Sequence, residues 1–139
     1  MDWIGLRAER RAAVTPVDCA DIDAAGLVGD HGREGKRAVT LFQAEHLSVI
    51  ASILGINQIH AKDLRRNIHV RGLNLSALRH VPLRIGSAVV EITVPCAPCS
   101  RMQEVFGYGG YNALRGHGGW CAKVIQPGRV CQSDSVTRA

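Results

Sequence analysis

Leu83-Arg-Ile-Gly-Ser-Ala-Val-Val-Glu-Ile-Thr-Val94 reads as two strands folded back on each other at Gly86-Ser87. Val90, Ile92 and Val94 alternate with Glu91 and Thr93, the period of a strand with one face buried. The second strand runs into Pro95-Cys-Ala-Pro-Cys-Ser-Arg101. Proline has no amide to give to a ladder, so Pro95 and Pro98 are expected to end the pairing. Cys96 and Cys99 then stand at a strand end, on a rim where they can be reached.

Outward from this hairpin the chain keeps a β character. Arg11 to Val17, Ala38 to Gln43, Asn67 to Val70 and Trp120 to Gln126 read as extended segments, and Arg129 to Cys131 follows a Pro127-Gly128 turn. Ala44 to Leu54 reads as a helix, because Leu47, Ile50, Ala51 and Leu54 recur at three-to-four spacing and Gly55 supplies a stop. Ala61 to Arg66 and Ser100 to Phe106 are short helical candidates. About seven strands with one clear helix do not alternate as a doubly wound sheet requires. The expectation is a single domain over residues 1–139, mainly β, as a small closed or partly open barrel with one to three short helices.

Of the 17 basic residues, 14 are Arg and three are Lys, and the net charge is +5. Arg presents a planar fork suited to phosphate or carboxylate, so an anionic partner fits, with Arg-favouring codon usage as the plain alternative. Nucleic acid is not expected, because six aromatic residues make no stacking surface. No apolar run approaches the roughly 20 residues of a membrane span. No secretion signal precedes the first strand, so the cytoplasm is the expected compartment.

Five cysteines are present: Cys19, Cys96, Cys99, Cys121 and Cys131. An odd count without a signal peptide fits free thiols in a reducing compartment. Cys19 and Cys131 read as ordinary small residues and Cys121 as a buried hydrophobe. Two glycine-rich segments stand out. Asp18 to Arg37 reads as a long loop, either a flexible surface or a functional one. Gly107 to Gly119 carries Asn112, Arg115 and His117, and resembles backbone brought close to an anion. It has neither the Lys-Ser/Thr of a Walker loop nor the frame of a dinucleotide fingerprint. His46 reads as a packed or solvated residue.

Taken in order, these segments resemble the MOSC domain, the C-terminal domain of molybdenum-cofactor sulfurases. The resemblance rests on Gly26-Leu-Val-Gly-Asp30, Val39-Thr-Leu-Phe-Gln43 with Glu45-His46, and Leu64-Arg-Arg-Asn-Ile68 with Gly72 and Leu75. It continues through Arg84-Ile-Gly86, Val90-Glu-Ile-Thr93, Pro95-Cys-Ala-Pro-Cys-Ser-Arg-Met102, Gly109-Gly-Tyr-Asn112 and Arg115-Gly-His-Gly-Gly119. It spans Trp3 to Val136 and resembles the pattern of small stand-alone bacterial members. Two departures stand out: the first strand looks clipped near Trp3, and Ser133 precedes Asp134 where a glycine is expected, which predicts a loose last turn.

The resemblance implies the pyruvate-kinase-like barrel of this family and binding or handling of molybdenum cofactor (molybdopterin). The family's cysteine, which carries sulfur or ligates molybdenum, maps to Cys99, with Cys96 as second candidate. A thiolate adds one more soft ligand to the metal, and nearby Arg lowers a thiol's pKa. Arg66, Asn67 and Arg101, with Asn112, Arg115, Gly116 and His117, are the expected cofactor-binding set, supplying guanidinium forks and glycine amides for the phosphate. The protein would be a persulfide carrier, or a molybdoenzyme reducing N-hydroxylated compounds. Sulfur donor or reductase must come from another protein, since no flavin or iron–sulfur motif is present. No pyridoxal phosphate chemistry is expected, with only three lysines. Two other classes stay open: a dithiol oxidoreductase at Cys96-Ala-Pro-Cys99, and a non-enzymatic anion-binding module.

Overall fold

The computed structural model describes residues 2–9, 13–32, 34–96 and 117–139. The strands are β1 (Trp3–Arg7), β2 (Val14–Pro16), β3 (Cys19–Asp23), β4 (Gly26–Leu27), β5 (Val39–Gln43), β6 (Ile68–Val70), β7 (Pro82–Ile85), β8 (Ala88–Pro95), β9 (Trp120–Gln126), β10 (Gly128–Cys131) and β11 (Val136–Arg138). Helix α1 (His46–Leu54) and two 3-10 turns, Ala61–Leu64 and Leu75–Leu78, lie between β5 and β7.

Eight strands form one sheet in the order β11-β7-β8-β9-β5-β6-β1-β2, and β10-β3-β4 form a second, smaller sheet. Every pair in the large sheet is antiparallel except β5 and β6, which run parallel and are joined through α1. A parallel pair cannot be joined by a tight hairpin, and the crossover helix supplies the return path. The large sheet does not close on itself, so the fold is mainly β and a partly open barrel.

The main core is lined by alternate residues of nearly every strand, among them Ile4, Ile22, Leu41, Ile68, Ile85, Val90 and Ile92. Strand β5 buries both its faces, which is why Val-Thr-Leu-Phe is an unbroken run rather than an alternation. Leu41 points into the main core, while Phe42 meets Ile50, Ala51, Ile59 and Leu64 under α1. Gly55 ends α1 in the left-handed region (φ 71°), its amide reaching the Ala51 and Ser52 carbonyls.

The segment from Asp18 to Arg37 is not one long loop. Ala20 and Ile22 alternate inward between exposed aspartates, which makes β3, and β4 pairs back onto it. Asp30 at its end is gripped by Arg7, whose Nε and Nη2 donate to the two carboxylate oxygens at 3.2 and 3.0 Å while the Arg7 amide donates at 2.7 Å. Arg7 also donates to the Arg65 carbonyl at 3.2 Å. The Gly26–Asp30 motif therefore ties β1 to the start of β6.

Cys19 and Cys131 are directly opposed across β3 and β10 and form a disulfide, correcting the reading of both as ordinary residues. The last turn is not loose either. Ser133 takes the left-handed conformation expected of glycine (φ 72°), and the Cys131 amide donates to Asp134 Oδ2 at 2.7 Å.

Candidate functional site

The end of β8 is irregular in a way that decides the site. Ile92 faces Ala122 and Pro95 faces Trp120, so Thr93 and Val94 stand against Cys121 alone. This bulge turns the strand end and re-aims its side chains. One step further the Cys96 amide donates to the Gly119 carbonyl at 2.9 Å. Residues two apart on a strand share a face. Cys96, opposite Gly119, is thereby brought against Cys121, with the two Sγ atoms 3.3 Å apart. Cys96 is 8% exposed and Cys121 4%. The expectation of a reachable rim thiol is narrowed for Cys96: the bulge tucks it under the sheet end, and its remaining exposure is to the cleft.

Gly119 holds this corner. Its φ is 91°, and a Cβ there would lie 2.3 Å from the Leu41 carbonyl oxygen. Only glycine lets β9 start this close to β5.

Above the thiols is a cleft of about 210 Å³, lined by Gln43, His46, Asn74, Cys96, Gly118 and Trp120, among others. Arg79 stacks over the Trp120 ring at 5.7 Å. The His46 and His117 rings meet edge to face at 5.3 Å. His117 Nδ1 is buried with no hydrogen-bond partner among the described residues. Burial, then the neighbouring His117, pushes the His46 pKa down, so His46 is a neutral imidazole at neutral pH.

The charge around the thiols comes from arginine. Arg66 is 6% exposed and donates its Nε–H to the Gly118 carbonyl at 2.7 Å. The hydrogen bond from Cys96, followed by the fields of Arg37, Arg66 and Arg7, pushes the Cys121 thiol down to about 7. Cys96 moves the other way, because it donates to Cys121 and is desolvated. The pair loses its first proton readily, the negative charge then rests on Cys121, and Cys96 holds the remaining proton toward it.

Of the residues expected from sequence, Cys96 lines the cleft, Arg66 supports its wall through Gly118, and His117 packs against the lining residue His46. Asn67 is fully buried, its Oδ1 accepting from the Thr40 amide at 3.1 Å and its Nδ2 donating to the Gly5 carbonyl at 3.2 Å. It locks β1, β5 and β6 and sets the position of Arg66 beside it. Cys99, Arg101, Asn112, Arg115 and Gly116, the helical turn at 100–106 and most of the glycine-rich segment lie outside the described residues. Of the two flanks of residues 97–116, Cys96 lines the cleft and His117 packs against its wall at His46. Sequence reading missed Cys121, whose partner is 25 positions away, and it set His46 aside. The Glu45-His46 pair next to a strand end was the available signal for the latter. Among the described residues no group of three His, Cys, Asp or Glu is arranged to hold a metal ion. No helix among them is long and apolar enough to cross a membrane.

A family model described as MOSC domain matches residues 27–137. Among solved structures, the chain is similar to the YuaD protein from Bacillus subtilis, with 18% identity and a TM-score of 0.82, covering 97% of this chain and 92% of that one. It is also similar to YiiM from Geobacillus stearothermophilus (17% identity, TM-score 0.82, 99% and 73% covered) and to YiiM from Escherichia coli (21% identity, TM-score 0.77, 100% and 70% covered). At these identities the likeness shows the fold alone. No curated protein matches the chain in sequence.

Proposed function

Since the chain belongs to the MOSC domain family, we propose that it binds molybdenum cofactor, or carries the sulfur destined for it, through the thiolate of Cys99. The cleft suits such a group by its donor chemistry. It offers soft sulfur at Cys96, the His46 imidazole and the backbone of Gly118 and Gly119, with the Arg66 guanidinium held behind Gly118 and His117 packed on His46. A pterin dithiolene with a phosphate calls for these partner types. When bound, the cofactor would supply oxygen-atom or sulfur chemistry at molybdenum. Cys99 is proposed to ligate the metal or hold the persulfide, with Arg101, Asn112, Arg115, Gly116 and His117 gripping the phosphate and pterin edges. Arg66 keeps positive charge beneath the thiols, and Asn67 keeps Arg66 in place. His46, neutral, is placed to accept or relay a proton at the cleft wall. An external sulfur donor or reductase completes either version.

The observation that supports this reading most is that Cys96, one flank of residues 97–116, lines the cleft, while His117, the other flank, packs on its wall at His46, with Arg66 held behind Gly118. The test is elemental analysis after expression in a cofactor-producing host. Wild type and Cys131→Ser are expected to retain molybdenum, and Cys99→Ser to lose it. Equal metal in wild type and Cys99→Ser would overturn the ligand role. Metal-free wild type with a persulfide on Cys99 in intact-mass analysis would select the carrier version.

A further inference from the structure

We propose that Cys96 and Cys121 form a redox-active dithiol at the floor of the cleft, oxidised by small hydroperoxides to an internal disulfide. The observation that carries it is the 3.3 Å Sγ–Sγ contact, set up by the β8 bulge and the Gly119 corner. A disulfide needs about 2.05 Å between sulfurs, so the two Sγ atoms at 3.3 Å have about 1 Å left to close. The pairing is distinct from the Cys96-Ala-Pro-Cys99 spacing that the sequence advertises, and it needs no ligand in the cleft.

The two thiols have different parts. Cys96 lines the cleft, so a molecule the size of hydrogen peroxide reaches it there. Cys121 does not line the cleft and sits among the fields of Arg37, Arg66 and Arg7. Cys96 passes its proton to Cys121 and attacks one peroxide oxygen. The O–O bond breaks, and the leaving hydroxide takes that proton and departs as water. Cys96 is now a sulfenic acid and Cys121 a thiolate again. Cys121 attacks the Cys96 sulfur, the S–O bond breaks, and the second hydroxide takes one proton from solvent. In sum, the dithiol gives up two electrons and the peroxide becomes two waters. Because the thiols are buried, a second protein's cysteine cannot compete for the sulfenic acid.

The test uses the full chain carrying Cys99→Ser, which removes the alternative partner, with wild type alongside. Each is treated with equimolar hydrogen peroxide, blocked with N-ethylmaleimide under denaturing conditions, digested without reduction and weighed. The expected product in both is a peptide pair joined through Cys96 and Cys121. With Cys121→Ala added to Cys99→Ser, Cys96 is expected to persist as a sulfenic acid trapped by dimedone, about tenfold more than in Cys99→Ser alone. Recovery of Cys96 and Cys121 both alkylated in Cys99→Ser would overturn the proposal. So would a Cys96–Cys99 bridge as the main wild-type product. Both readouts stand whether or not the protein carries molybdenum.

Discussion

Arg66 donates its Nε–H to the carbonyl oxygen of Gly118 at 2.7 Å, joining residues 52 positions apart. The bond fixes a buried cation beside the cleft that His46 of α1, Pro95 of β8 and Trp120 of β9 line. It also positions one of the three guanidinium charges that, after the Cys96 hydrogen bond, favour the Cys121 thiolate.

Replacing Arg66 by Met is therefore expected to raise the Cys121 pKa from about 7. One nearby cation of three is lost, so a rise of about one unit is expected. The ultraviolet absorbance of the thiolate, followed against pH in a Cys99→Ser background, measures it. An unmoved midpoint would separate Arg66 from the thiol pair.

His69 gives the fold an acid-sensitive centre. Its ring packs 4.9 Å from Trp3 and 4.8 Å from Phe42, and neither nitrogen has a hydrogen-bond partner among the described residues. Burial pushes its pKa from 6.5 down to about 4, with Arg66 acting in the same direction and Asp2 against it. The unfolded chain thus binds this proton first. Stability is full above pH 6.5 and falls as pH drops toward 4, after which the folded state is protonated too. The loss attributable to His69 is about 3 kcal/mol. Urea midpoints taken at about pH 7 and about pH 4 should separate strongly in wild type and less in His69→Leu, by that amount. Equal separations in both proteins would clear His69 of the effect.

Two glycines with positive φ make a controlled comparison. A Cβ at Gly119 meets the Leu41 carbonyl, whereas at Gly55 nothing lies within 4 Å. Gly55→Ala is expected to cost about 1 kcal/mol for its backbone conformation alone. Gly119→Ala is expected to cost at least about 3 kcal/mol, since β5 and β9 must also part. Chemical denaturation ranks them, and equal losses would mean the β5–β9 approach is not tight.

Legibility followed the length scale of each contact. Strands β5, β8 and β9 and helix α1 were readable because long apolar periods announce themselves within a few residues. β3 was missed although Ala20 and Ile22 alternate, because aspartates and glycines around them mimic a loop. Arg66 was readable as one of a tight Arg pair, but its Gly118 partner was not. Cys121 was read as a hydrophobe because only the bulged β8–β9 pairing reveals the thiol it faces. The same limit hid the Cys19–Cys131 bond, whose ends are 112 positions apart.

That bond, in the oxidised form, closes the chain from Cys19 to Cys131 into one covalent ring, with residues 97–116 inside it. A protease that cuts between Cys19 and Cys131 opens the ring without dividing the protein, and the fragments part company only when a reductant is added.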